Sequence, residues 1–562
     1  MSQTRVLAPT PSAYPFPLLI KQLLLSGRRY ESGREIVYRD RVRYDYNQLN
    51  ERICRLANAL KASGIGPGDV VAVMEWDSHR YLEAMFAIPM IGAIIHTINV
   101  RLSPDQIIYT VNHAEDKLIL VNDEFLPLLK GMHDQFTTVE NYLLISDNDD
   151  AQVPSDLPFV GEYEALLAAQ PAECEFPDFD ENSVATTFYT TGTTGNPKGV
   201  YFTHRQLVLH TLVETAVMGG LGSTPLMNSD DVYMPVTPMF HVHAWGVPYV
   251  ATMMGIKQVY PGRYEPDLLV DLQQREGVTY SHCVPAIIQM IMGCKRAQEV
   301  NFSGWKVLIG GSALNKGLAL AALEKGIKLS AAYGMSETCP LLSAAYVTEV
   351  MRDQLSDEEQ MDYRIAAGVP VPLVQLEVVD GDGKFQPHDG ETVGEVVVRA
   401  PWLTQAYFKE PEKSEELWAN GWLHTGDVAT IDELGIVRIR DRIKDVIKTG
   451  GEWISSLELE GLMSLHPAIA EVAVVGVPDP QWDERPFALV VVKPGEDVDA
   501  ASIKKHLKQY VDEGRINKWA IPTQIAVVES IPKTSVGKLN KKQIRADYAD
   551  SLNGGGAFLS SV

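Results

Sequence analysis

From about Glu31 the chain alternates helix-spaced and strand-like text, and this rhythm limits the fold more than any other feature. YNQLNERICRLANALKASGI carries apolar residues at helical spacing and ends at Gly64 and Gly66. DVVAVMEW follows as a short buried strand, SHRYLEAMFAIPMIGA as a second helix, and IIHTINV as another strand. SPDQIIYTVNHAE opens on Ser103 as an N-cap, and KLILVND closes the series as a strand. The rhythm returns at DLLVDLQQREGVTYSHCVP and WKVLIGGSAL. Such alternation predicts an α/β fold, with parallel sheet covered by helices on both faces. A chain of 562 residues exceeds what one core supports, so more than one domain is expected.

After roughly Ala345 the texture changes. VQLEVVDGDGKFQPHDGETVGEVVVRAP has short alternating strands separated by Gly, Asp and Pro, as in a small β-barrel or sheet over about 345–440. GIVRIRDRIKDVIKTGGEW is charged and glycine-ended between two apolar regions, a good place for a hinge. The residues beyond it, about 445–545, read as a small α+β domain, and NGGGAFLSSV as a disordered tail.

YTTGTTGNPKGVYF (189–202) follows the strand-like VATTFYT. Thr190, Thr191, Thr193 and Thr194 supply hydroxyls, while Gly192 and Gly195 let backbone N–H groups turn toward one point. Lys198 adds a mobile positive charge. Donors and an ammonium converging in this way form an anion cradle, and a polyphosphate is the anion it suits; a polar surface turn is the other reading. The P-loop pattern ends in Gly-Lys-Ser/Thr, whereas Lys198 stands between Pro197 and Gly199, which excludes the P-loop class.

Charge narrows the partners. With 49 basic and 73 acidic residues the formal net charge is -24, a field that repels nucleic acid and anionic membrane surfaces. An anionic substrate must be captured by a local positive pocket. The five cysteines are scattered without Cys-x-x-Cys spacing, which argues against a disulfide scaffold or zinc site and suits a reducing cytoplasm. MFAIPMIGAIIHTI is too short to span a bilayer and reads as buried core.

Three further strings carry chemistry. In SAAYGMSETCP, Tyr333 offers a flat surface and Glu337 a carboxylate suited to Mg²⁺. The same string reads as a capped helix start, or as a nucleophile elbow whose last glycine is replaced by Thr338. GWLHTGD places Asp427 where a ribose diol could be bound, and PKTSVGK sets Lys538 just after Gly537.

In order and spacing, the loop at 189–200, YGMSET, GWLHTGD, RIKDVIK and PKTSVGK resemble the AMP-forming adenylating enzymes: acyl-CoA synthetases, firefly luciferase and peptide-synthetase adenylation domains. The resemblance spans about residues 30–545, and IHTINVRL, NHAED, GGEWISS and KWAIP are most similar to medium-chain and 3-methylmercaptopropionate CoA ligases. It implies a large N-terminal domain (1–443) of two parallel-type α/β subdomains and the barrel-like part, a hinge at 444–448, and a small mobile C-terminal domain (449–562).

The resemblance also implies roles. Thr190, Thr191, Gly192, Thr193, Thr194 and Lys198 would hold the ATP phosphates; Gly311, Ser312, Tyr333 and Gly334 would surround adenine. Glu337 would bind magnesium and Thr338 a phosphate, Asp427 the ribose, with Arg442 its basic neighbour. Lys444 would be the hinge residue, and Lys538 would bridge the carboxylate and the α-phosphate. Lys448, Gly451, Glu452 and Trp453 would meet CoA after the small domain rotates.

In PMFHVHAWG, His241 and Trp245 would share one helical face, His241 as a wall between acid and CoA tunnel and Trp245 as a gate of the acyl pocket; plain core packing is the other reading of Trp245. The expected activity is that of a cytoplasmic AMP-forming acid–CoA ligase for a medium-chain or small hydrophobic acid. Mg²⁺ would be its cofactor, ATP and CoA its co-substrates, and a homodimer its assembly. Transfer of the adenylate to another acceptor, or non-catalytic nucleotide binding, are the alternatives.

Overall fold

The computed structural model describes residues 7–190, 196–220, 226–450, 452–535 and 537–553. Two mainly parallel sheets dominate the N-terminal part. The first runs in the order 159–162, 141–145, 116–122, 70–74, 94–97, 184–190 and 198–203, parallel throughout except for the last pair. The second has nine strands, with a parallel centre formed by 328–334, 306–309, 280–283, 232–235, 257–260 and 35–38. Antiparallel strands 341–344, 369–370 and 42–45 finish its edges.

The helices begin where their caps demand. Asp45 accepts from the Gln48 amide while Gln48 reaches back, and this capping box starts Tyr46–Ala62. Ser103 and Gln106 do the same for Pro104–Ala114. The apolar helix His79–Met90 is buried along its whole length, so it is core and not a surface element. No described helix is long and apolar enough to cross a membrane.

The stretch expected as a small β-barrel or sheet is an antiparallel sheet of five strands. Its long strand Trp422–Ile431 pairs with Gly394–Arg399, Trp418–Ala419 and Val437–Arg442. The smaller C-terminal domain folds around the hairpin of Ile469–Asp479 and Asp483–Val492, with Gln524–Val527 parallel beside it. Helices Ser456–Met463 and Ala500–Asp512 close a core that includes Leu459, Val474, Val490 and Ile503. The C-terminal residues 554–562, expected as a tail, lie outside the described residues.

One expectation is corrected. Cys54 and Cys174 form a disulfide, with Cα atoms 5.2 Å apart, whereas Cys283, Cys294 and Cys339 are free. A separation of 120 residues left no spacing signal by which the pair could be recognised.

The first sheet and its helices also depend on a buried charge. Glu83, fully buried, accepts from the Tyr44 and Tyr163 hydroxyls and from Arg52 Nε, each at 2.6 Å. Glu83→Ala leaves the Arg52 guanidinium to Glu164 alone and strands two buried phenols; it is expected to cost about 2–5 kcal/mol, read as a lowered denaturation midpoint. Glu83→Gln retains acceptor capacity and is expected to cost less.

Candidate active site

The site gathers at the carboxyl ends of the parallel strands, where open α/β sheets expose loops and backbone amides. Thr190 ends Val184–Thr190 and pairs across the hairpin with Lys198. Thr191, Gly192, Thr193 and Thr194, between these two, lie outside the described residues, as does Gly451. Gly310 and Gly311 follow strand Lys306–Ile309, and Tyr333 and Gly334 end Lys328–Gly334.

Asp427 joins three parts of the chain. Its carboxylate accepts from the Tyr333 hydroxyl at 2.8 Å and pairs with Arg442 Nε at 3.2 Å. Asp427 and Arg442 are cross-strand partners in the antiparallel sheet, so the register itself holds the ion pair. Burial pushes the Asp427 carboxyl up, while Arg442, Tyr333 and Lys538 pull it back.

A second group forms around Glu337, which is buried. Tyr407 donates to Glu337 Oε1 at 2.7 Å, and Lys198 Nζ lies 4.4 Å from the centre of the Tyr407 ring. The Phe408 amide donates to the Gly199 carbonyl at 2.8 Å, fixing this ring beside the Lys198 strand. Tyr407 was missed in the sequence because it belongs to no motif; an aromatic between two polar turns was its only mark. Thr338 turns its hydroxyl to Met335 and Pro340 within its own loop.

Lys538 enters from the small domain on a tight loop. The Thr534 amide donates to its carbonyl at 2.7 Å, and Gly537 has φ +82°. Its side chain reaches Gly311: a Cβ added there would stand 3.1 Å from Lys538 Cε, so glycine is what admits the lysine. Burial, and then Arg442, lower the Lys538 ammonium to about 8 against the pull of Asp427 and Glu337. His241 is depressed to about 3 by burial and by Lys538, and is therefore neutral at physiological pH.

The segment holding His241 and Trp245 departs from expectation. Val242, His243, Ala244 and Trp245 have φ of 49°, 53°, 48° and 60°, and Gly246 has φ +81°. This is a left-handed turn, so the two side chains do not share the face of a right-handed helix. Such backbone costs roughly 1–2 kcal/mol per non-glycine residue and persists only where packing dictates it. Val242, His243 and Ala244 are buried, and His243 Nε2 bonds the Thr186 hydroxyl at 2.8 Å. The turn carries the Trp245 ring onto His282, with centroids 5.0 Å apart, and against Gly310. His241, Trp245, Gly310, Gly311, Tyr333 and Lys538 all line one cavity of about 40 Å³.

Other expected residues lie elsewhere. Ser312 is half-buried beside Gly311. Lys448 and Trp453 face each other across a strand pair, and with Glu452 they are exposed, Trp453 to 59 %; none lines the cavity. Lys444 is exposed just beyond the strand that ends at Arg442.

The comparisons with known proteins cover nearly the whole chain. Residues 26–408 match the AMP-binding enzyme family, and residues 458–538 match the AMP-binding enzyme C-terminal domain. The chain is 38 % identical over 554 residues to the 3-methylmercaptopropionyl-CoA ligase of Ruegeria lacuscaerulensis, covering 96 % of this chain and 98 % of that protein. It is 38 % identical over 520 residues to the long-chain-fatty-acid–CoA ligase of Thermus thermophilus, covering 91 % of each. Identity to the medium-chain-fatty-acid–CoA ligase of Ectopseudomonas oleovorans is 35 % over 542 residues, or 95 % and 97 % of the two chains. The fold is similar to that of an anthranilate CoA ligase in complex with anthranoyl-AMP, with TM-score 0.84, 21 % identity, and 96 % and 99 % of the two chains covered. The chain belongs to the AMP-binding enzyme family.

Proposed function

We propose that this member of the AMP-binding enzyme family is an AMP-forming acid–CoA ligase that works by the residues described above. The observation that carries the reading is the meeting of Lys538 with Gly311 and His241 beside the Asp427 and Glu337 groups, in a chain 35–38 % identical, end to end, to CoA ligases.

In the first step the acid's carboxylate attacks the α-phosphorus of ATP and pyrophosphate leaves. Both reactants are anions, so the rate depends on position and positive charge. Lys538 lies between the two reacting groups, Lys198 contacts the outer phosphates, and Asp427 binds the ribose. Tyr333 and Gly334 flank the base, where any side chain at position 334 would strike Pro340 O, 1.9 Å from an added Cβ. Glu337 fits a magnesium site: Tyr407 holds its Oε1, Oε2 accepts no hydrogen bond among the described residues, and one carboxylate suffices when phosphates complete the shell. Bound there, Mg²⁺ supplies charge neutralisation at the phosphates.

In the second step the CoA thiolate attacks the acyl carbon and AMP leaves. Lys448, Glu452 and Trp453 are exposed while Lys538 is in place, which supports a rotation about Lys444 that exchanges one face for the other. Gln289 to Ala470 O at 3.0 Å, and Asn99 and Arg101 to Ser535 at 3.1 and 3.2 Å, are side-chain bonds that such a rotation would break. The acid is a small or medium-chain one, because Trp245 narrows the cavity. A cytoplasmic homodimer completes the proposal, with ATP and CoA drawn from that compartment; sedimentation tests the assembly. Incubation of a panel of acids with ATP, Mg²⁺ and CoA, followed for AMP and thioester, tests the activity; pyrophosphate release without thioester would assign the adenylate to a different acceptor.

Four outcomes are expected. The Lys538 ammonium is charged below about 8 and loses its proton as pH rises through that value, so pyrophosphate release by the free enzyme should fall on the alkaline side. Lys538→Arg should remove that alkaline limb, and Lys538→Ala should slow adenylation about 10²–10³-fold. Trp245→Ala should shift the chain-length optimum for kcat/KM toward longer acids, since the ring between Gly310 and His282 is what it deletes.

A further inference from the structure

The helix His204–Gly220 contains one acidic residue, Glu214, and its side chain is buried. Glu214 is 3 % exposed and lines the same cavity as Trp245 and Lys538. Its Oε2 has no hydrogen-bond partner among the described residues. His210 Nδ1 stands 3.7 Å from it, beyond hydrogen-bond reach. His210 Nε2 accepts from the Leu341 amide at 3.2 Å, so the ring carries its proton on Nδ1 and is a neutral donor. Burial depresses His210 to about 3 and raises Glu214 well above the ordinary carboxyl range, with no lysine or arginine to counter it. Burial thus favours the protonated form of Glu214, which offers both an O–H donor and a carbonyl acceptor.

Close approaches order the wall of the cavity. Lys538 lies against Gly311, Trp245 against the neighbouring Gly310, and Glu214 Oε2 stands 3.3 Å from where a Cβ of Gly246 would be. An acid whose carboxylate meets Lys538 thus extends past Trp245 toward Glu214. A plain alkyl chain covering Glu214 leaves a buried polar atom unmatched, whereas an oxygen on that chain satisfies it.

We propose that Glu214 is a specificity-determining residue that hydrogen-bonds a neutral oxygen function, hydroxyl or oxo, on the acyl chain of the substrate acid. This rests on the acid-activating reading of the site and replaces a purely apolar substrate with an oxygen-bearing one. Glu214 contacts the chain and takes no part in bond making.

The test compares straight-chain acids from butanoate to octanoate with their ω-hydroxy and oxo analogues, using the full-length enzyme with ATP, Mg²⁺ and CoA. Pyrophosphate and thioester are followed separately. The unaltered enzyme should favour an oxygenated member over its alkyl counterpart by about tenfold or more in kcat/KM. Glu214→Gln should keep that preference. Glu214→Leu should abolish or reverse it while leaving the affinity for AMP unchanged, and Glu214→Met serves where the leucine variant does not fold. Equal or greater activity on the alkyl members in the unaltered enzyme overturns the proposal, as does a preference that survives in the leucine or methionine variant. An oxygen preference in pyrophosphate release without any thioester sustains the role of Glu214 and overturns the CoA step. Thioester formation without oxygen preference does the opposite. No reaction with any member overturns both.

Discussion

The contact between Tyr333 and Asp427 is the constraint around which the rest of the molecule is arranged. It ties the nine-stranded sheet to the antiparallel one, and Arg442 completes the pair through strand register. A buried carboxylate is stable only when hydrogen-bonded and paired, so these two sheets must meet at this point. Lys538 then enters beside them with a proton affinity lowered by burial and by Arg442. Three separately folded pieces of the chain share one small electrostatic problem, and none of them solves it alone.

Around that cluster, close packing decides what can enter. Gly310 and Gly311 let Trp245 and Lys538 approach the strand end, and Gly334 lets the chain pass against Pro340. The left-handed turn at 242–246 is costly backbone held by burial and by the bond between His243 and Thr186. Its effect is to aim an indole across the cavity from an unusual direction, where a right-handed helix would have pointed it elsewhere. Strain concentrated in such a turn is a common property of sites that must hold a side chain in one place.

Much of the fold could be read from the chain because its strands are short β-branched runs between turn residues. Val70–Met74, Ile94–Thr97 and Val184–Thr190 fall within the segments expected, Asp116–Asn122 begins one residue before its segment, and Asp45 and Ser103 act as local caps. Of the residues singled out in contiguous strings, His241, Trp245, Gly311, Tyr333 and Lys538 line one cavity. What escaped notice depends on contacts between distant segments: Tyr407 with Glu337 over 70 residues, Cys54 with Cys174 over 120, and Glu214 beneath Gly246. The turn at 242–246 escaped because Val242, Ala244 and Trp245 have no intrinsic leaning toward positive φ, and tertiary packing imposes it on them.

The loop that delivers Lys538 has a thermodynamic consequence. It is closed on itself by Thr534 and Gly537, so the ammonium travels with the small domain as a unit. Were the small domain to undock as proposed, it would withdraw a cation from Asp427 and Glu337 together, and an anion held by that cation would make the withdrawal harder. By reciprocity, whatever tightens the docked arrangement must tighten the grip on the anion by the same factor. Occupancy and posture are thus a single equilibrium observed from two ends.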